Sequence, residues 1–182
     1  IFVGFLLLVA LISYSPSDPN FIFPENTEIK NLLGFRGSYV SDIFLQSIGL
    51  ISYLIPITFI FLGLTVFQRK KIFIIFENLF YVILYSLIGS LFFSHFYKNG
   101  FNLYINGNGG FVGNYFNETF LNSLVQINET ISYYVLIFLT LTFFLLSINF
   151  NLIKFKNSIF KIYDFFFKKE EKNYTDKSEV IK

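Results

Sequence analysis

Apolar residues along this chain come in long unbroken runs, without the alternation of a half-buried strand or the one-sided stripe of a surface helix. Residues 43–67 carry no charge over 25 positions and residues 131–150 none over 20. Residues 72–96 are interrupted only by Glu77 and His95. As helices rising about 1.5 Å per residue, these runs reach roughly 30–37 Å. That is enough to cross a hydrocarbon core of about 30 Å. The opening run, residues 1–14 (IFVGFLLLVALISY), would reach only about 21 Å. A signal-peptide core has this length, but no basic segment precedes it and no small-residue cleavage motif follows. It is expected to be a membrane helix whose first turns are missing. The pattern thus predicts an all-α integral membrane fold with four transmembrane helices.

Polar and helix-breaking residues mark the connections. After Tyr14, Pro16 and Pro19 cannot continue a helix and push the residues before them out of helical geometry, while Asp18 can bond back within the turn. The segment NLLGFRGSYVSD brings Asn31, Gly34, Gly37 and Asp42, with Ser38 or Ser41 available to cap the second span. Within that span, Pro56 predicts a kink, and Gly49 and Gly63 offer points of close packing. Residues 99–110 (NGFNLYINGNGG) are too turn-rich for a regular helix. Residues 111–126 then place Phe111, Val112, Tyr115, Phe116, Phe120 and Leu124 on one side and Gly113, Asn114, Asn117, Glu118, Asn122 and Gln126 on the other. This predicts an amphipathic helix lying in the outer interface or packed across the mouth of the bundle. From residue 151 aromatic residues interleave with lysines, and from residue 170 the chain reads as the start of a polar cytoplasmic linker. The expected division is therefore a membrane domain over residues 1–150 and a juxtamembrane stretch over 151–182.

Charge sets the expected orientation. Arg69, Lys70 and Lys71 fill the short connection between the second and third spans, and Lys154, Lys156, Lys161, Lys168 and Lys169 follow the last one. Only Lys30, Arg36 and Lys98 lie in the other two connections. The basic excess places the short connection and the tail in the cytoplasm, as inner-leaflet anchors, with both chain ends inside.

Composition supports the membrane class: 54% of residues are hydrophobic and 14% charged, against about a quarter charged in soluble domains. There is no Met, even at position 1, so the chain is expected to be a piece of a longer protein. With no Cys, a disulfide framework, a thiol nucleophile and a Cys-containing zinc site are excluded.

Candidate chemistry is sparse. Glu77 lies six residues past Lys71, placed to snorkel or pair near the inner surface, with a role in an ion path as the alternative. His95, the only histidine, closes the third span at the interface. Phosphate-loop, G-x-S-x-G and H-E-x-x-H motifs do not occur. N-x-[ST] triplets at Asn117 and Asn128 are of a kind common by chance. No catalytic, cofactor-binding or metal-binding set is expected in these residues.

The order of these pieces resembles the amino-terminal four-span membrane region of FtsK/SpoIIIE-type DNA translocases. The first span ends in Ser13, Tyr14, Ser15, Pro16, Ser17, Asp18, Pro19. Asn31, Gly34 and Gly37 then lead, past Asp42, into a span containing Gly49 and Pro56. Gly109, Gly110 and Gly113 open the amphipathic stretch before the fourth span. The resemblance extends to about Asn151, and the spans depart from it in being richer in Phe and poorer in Ala and Gly. It implies a multi-pass anchor in the bacterial inner membrane, at the division septum, for a hexameric motor that pumps double-stranded DNA. ATP and Mg would belong to that motor, beyond Lys182, and division proteins would be partners of the membrane region. Two readings compete with it: a stand-alone four-span membrane scaffold, and a small transporter or channel component that uses Glu77.

Overall fold

A computed structural model describes residues 1–19, 28–69, 72–98 and 105–151, together with 153, 156, 157, 160 and 163. The described residues contain helices and turns and no strand. In chain order the helices are α1 (Phe2–Ile12), α2 (Gly34–Ile48), a 3-10 segment (Gly49–Tyr53), α3 (Leu54–Arg69), α4 (Ile74–Phe96), α5 (Gly110–Asn117), α6 (Phe120–Ile127) and α7 (Glu129–Ser147). They belong to one compact unit, residues 1–149, and residues 150–182 form a second.

Among the described residues, three helical stretches are long and apolar enough to cross a membrane: Gly34–Gln68, Ile74–Phe96 and Glu129–Ser147. The first of these includes the 3-10 segment. Phe2–Ile12 is apolar but shorter. Large apolar side chains point outward, among them Phe67, Phe73, Phe76, Ile83 and Phe138, whereas Asp42, Thr58, Asn78, Ser90 and Ser94 are buried. In water such a surface would be a severe liability. In lipid the outward apolar face carries no such penalty, and an inward polar group is compensated only by partners within the protein.

Packing follows from small residues. Gly4 lets α1 lie against α3, where a Cβ would stand 2.8 Å from Ile60 Cγ1 and 2.9 Å from the Pro56 carbonyl. Gly63 accepts Ile1 in the same way. On α4 the buried face repeats Ser86, Gly89, Ser90 and Ser94 at near-helical spacing, and a side chain on Gly89 would press into Ile51. A modest apolar cluster of Leu7, Leu11, Leu45, Ile51, Ile55, Val82 and Tyr85 fills the centre. There the buried Tyr85 hydroxyl meets Thr58 Oγ1 at 3.1 Å, and Thr58 meets Ser147 Oγ at 3.1 Å, joining α3, α4 and α7.

Two elements differ from the sequence expectation. The second apolar run is not one helix over 43–67: helix begins at Gly34 and breaks at Gly49, where φ is 70° and ψ is −149°. Pro56 therefore falls at the third residue of α3, in a first turn whose N–H groups lack intrahelical partners, so no kink is needed there. The amphipathic stretch is likewise two helices, because the extended Thr119 restarts the chain and caps α6 through its own side chain.

In the second unit the described Ile153, Lys156, Asn157, Phe160 and Tyr163 are helical and exposed. The Lys156 ammonium stands 5.8 Å from the Phe160 ring centre, a cation–π distance. Lys70, Lys71, Lys154, Lys161, Lys168 and Lys169 lie outside the described residues, and Arg69 ends α3.

Candidate functional site

Whereas Glu77 lies at the opposite end of α4, Asp18, Asn31, Asp42 and His95 gather at the end of the unit that carries α5. There the turn after α1 is organised by a buried carboxylate. Asp18 accepts the Lys30 N–H at 3.0 Å through one oxygen and the Asn31 N–H at 2.8 Å through the other. Ser13 Oγ donates to the Val9 carbonyl at 2.7 Å, closing α1, and accepts the Leu32 N–H at 3.1 Å. Pro16 is exposed in the turn. Pro19 is buried, and its carbonyl takes the Ser38 hydroxyl at 2.8 Å.

Asn31 ties this turn to both helices. Its amide donates to the Ala10 carbonyl at 2.9 Å, and its Oδ1 accepts the Leu33 N–H at 3.0 Å. The neighbouring glycines make this geometry possible. Gly34 has a left-handed φ of 64°, and a Cβ on Gly37 would collide with the Asn31 amide oxygen. One helical turn further, the Tyr14 hydroxyl donates to Asp42 Oδ1 at 3.2 Å, and the Gln46 amide reaches the same oxygen at 3.5 Å. The N-x-x-G-x-x-G spacing and the distant Asp are thus parts of a single scaffold.

Gln46 passes the network to the second half of the site. It accepts the Asn106 N–H at 3.2 Å through Oε1, while its backbone carbonyl takes the Asn106 side chain at 3.1 Å. Beside it, the break at Gly49 frees groups that a continuous helix would have paired. The Asn108 carbonyl takes the Leu50 N–H at 2.9 Å, and the Ser90 hydroxyl donates to the Ile48 carbonyl at 2.8 Å. Ser52 Oγ reaches the Gly49 carbonyl at 2.6 Å and the Phe44 carbonyl at 2.9 Å.

The glycines before α5 let its backbone approach this closely. A Cβ on Gly110 would stand 2.5 Å from the Gly49 nitrogen, and one on Gly109 2.6 Å from the Ser90 carbonyl. One on Gly113 would meet that same carbonyl. Ser94 Oγ then donates to Asn114 at 2.9 Å and accepts from Asn117 at 2.7 Å. The Asn108 amide donates to the Tyr97 carbonyl. Beyond them opens a polar cleft of about 440 Å³, lined by Ser94, His95, Lys98 and Glu118 among others. There His95 Nδ1 meets Asn122 Oδ1 at 3.0 Å.

Sequence reasoning missed Gln46, Ser90, Asn106 and Asn108. The spacing of Ser86, Ser90 and Ser94 within an apolar run was the signal available for α4. The N-x-[ST] triplets have local structural roles: Asn117 bonds Ser94, Thr119 caps α6, and Asn128 caps α7 through the Ile131 N–H at 3.0 Å. Glu77 is exposed in the first turn of α4, where an acid complements the helix dipole. Among the described residues there is no cluster of three His, Cys, Asp or Glu side chains suited to a metal. The arrangement is equipped to hold backbones in place and to recognise polar groups by hydrogen bonds.

Sequence comparison identifies the architecture. Residues 1–160 match the family described as the 4TM region of DNA translocase FtsK/SpoIIIE. The chain belongs to this family. Similar proteins include the DNA translocase FtsK of Rickettsia typhi, 28% identical over 152 residues that make up 84% of this chain and 20% of that protein. The DNA translocase FtsK of Azospirillum brasilense is 33% identical over 72 residues, 38% of this chain and 11% of its own length. That of Caulobacter vibrioides is 36% identical over 63 residues, 35% of this chain and 8% of its own. The chain thus spans about a fifth of the length of the Rickettsia typhi relative. No solved structure matches it. The 4TM region here is multi-pass and membrane-embedded, and its polar end carries the Asp-Pro turn, the Asn-Gly-Gly segment and the glycine strip.

Proposed function

We propose that this 4TM region is the membrane anchor of a DNA translocase that couples chromosome segregation to cell division. It crosses the inner membrane four times, with α1 as the first crossing and both ends in the cytoplasm. The basic residues from Arg69 to Lys71 and from Lys154 to Lys169 hold it at the inner leaflet. The motor, with its ATP and Mg, its hexameric ring and its grip on double-stranded DNA, would lie beyond Lys182. The contribution of the anchor is positional: it concentrates the motor at the septum. The family match over residues 1–160 carries this reading.

On this reading α5 and α6 form the face offered to division proteins on the outer side. Their outward residues Phe111, Tyr115, Phe120 and Leu124 are exposed, while Gly110 and Gly113 fasten the pair from behind. The test is a fluorescent fusion of the chain in Caulobacter vibrioides. A mid-cell band is expected, with dispersal around the membrane when residues 111–126 are deleted and insertion retained. Uniform membrane fluorescence from the intact fusion overturns the septal assignment. Reporter fusions at Arg69 and Lys98 read the orientation, which fails if the Lys98 side is cytoplasmic.

A further inference from the structure

A groove of about 300 Å³ lies between α1, α2 and α3, beside the Asn31 turn, whose contacts Ala10, Leu33 and Gly37 are in its lining. Its walls include Val3 and Ala10 from α1, Val40 and Phe44 from α2, and Phe59 from α3. Among the described residues, the one charged residue in its lining is Arg36. From Val3 to Ala10 the α1 wall runs about 10 Å, which fits within the roughly 15 Å depth of one leaflet.

Arg36 occupies the first turn of α2, close in sequence to the exposed Glu28 and Lys30 and so at the aqueous boundary. Its side chain is exposed, and it has no acidic partner among the described residues. Around it Leu32, Phe35 and Val40 are exposed as well. An unpaired guanidinium at the rim of an apolar slot in a membrane protein matches one chemistry: a phosphate at headgroup level with a hydrocarbon chain below it. Arginine is suited to this because its planar fork binds phosphate oxygens in pairs. A partner helix would have to bring an acidic residue to this height, whereas an anionic headgroup carries its charge there already, so the charge favours the lipid.

We propose that this groove is a binding site for one anionic phospholipid, with an acyl chain along α1 and the phosphate on Arg36. The proposal needs the region to lie in a bilayer but not to anchor a motor. The test places the full chain in nanodiscs that contain phosphatidylglycerol with a photoreactive diazirine in its acyl chain. Cross-linked peptides are mapped by mass spectrometry.

Labelling is expected to concentrate on the α1 and α2 peptides bearing Ala10 and Val40, above that on the outward face of α7 at Phe138. Arg36→Ala is expected to lower groove labelling at least threefold without changing α7, and Arg36→Lys to recover part of it. Val40→Trp, which fills the slot, should abolish it. A diacylglycerol probe without phosphate should label the groove weakly and ignore Arg36→Ala. Groove labelling no higher than on α7, or unmoved by both Arg36→Ala and Val40→Trp, overturns the site, as do cross-links that join a second copy of the chain through the groove. Absence of label on α7 as well would refute membrane insertion itself, which is a separate failure.

Discussion

Replacing Gly49 by alanine tests whether the break in the second apolar run is a built joint or an incidental bend. The residue sits at φ 70° and ψ −149°, a region populated almost only by glycine, where other residues are strained by about 1–3 kcal/mol. An alanine Cβ would also fall on the Asn108 carbonyl, the acceptor for the Leu50 N–H at 2.9 Å. Losing that hydrogen bond costs about 1 kcal/mol. The expected total is roughly 3 kcal/mol, or a factor on the order of 100 in the opening equilibrium. Gly34→Ala supplies the control. That residue also has a left-handed φ, 64°, but nothing lies within 4 Å of its would-be Cβ, so it should lose only about 1–2 kcal/mol. The chain has no cysteine, so a single Val125→Cys, buried on α6, reports seating of the α5–α6 pair through its rate of thiol labelling. Gly49→Ala should accelerate that labelling many-fold and Gly34→Ala little. Equal loss of stability in the two variants, with equal labelling, would refute the idea that Asn108 fastens the broken helix.

The same reasoning ranks other substitutions. Asp18→Ala leaves the Lys30 and Asn31 N–H groups without their acceptor and should cost roughly 2–4 kcal/mol, Asp18→Asn less, as read by unfolding in micelles; equal losses would deny the paired-oxygen role. Ser94→Ala deprives Asn114 and Asn117 of a shared partner, and thiol labelling at Val125→Cys should rise by about tenfold. Tyr85→Phe removes one buried hydroxyl contact to Thr58 and should cost about 1 kcal/mol, whereas Tyr85→Ala should cost roughly 3–5 kcal/mol. A larger loss in Tyr85→Phe than in Tyr85→Ala would exclude packing as the main role of that ring.

Much of this architecture was legible because membrane helices advertise themselves by length. α4 and α7 follow directly from uncharged or nearly uncharged runs, and the end of α1 follows from Pro16 and Pro19. The inward faces were less legible for a physical reason. Hydrophobic periodicity marks a core only when the opposite face meets water, and here the opposite face meets lipid, so residues such as Phe76 and Phe138 mask the side that packs. The break at Gly49 was hidden for the same reason, since GLISYLIP reads as uninterrupted apolar sequence. Its partner Asn108 lies in a turn-rich segment 59 positions away, and no local rule links a loop carbonyl to a helix joint at that distance. Asp18 and Gly37 could be named from turn and glycine chemistry and Asn31 only through the family resemblance, but their purpose, two N–H groups on one carboxylate and an amide slotted beside a missing Cβ, shows only in the folded arrangement.

The distribution of bonds also says what holds a bundle of this kind together. Burial of apolar area does little once the chain is in lipid, because the tails are as apolar as the side chains they would replace. The apolar cluster around Leu45 and Tyr85 is small, and α7 buries only Thr140 and Ser147. Side-chain hydroxyls and amides take over the fastening instead. Thr58 and Ser147 join α3 to α7, Ser90 holds the severed end of α2, and Asn149 donates to Asn78 at 2.9 Å where α7 ends. Such bonds are individually modest, averaging about 0.6 kcal/mol between helices in lipid, so stability should depend on their number. The order of severity familiar from soluble proteins should then invert: trimming an outward phenylalanine such as Phe138 leaves the fold intact, while a single inward Ser or Asn replaced by leucine loosens it, both through the lost bond and through the volume forced into a glycine-wide contact.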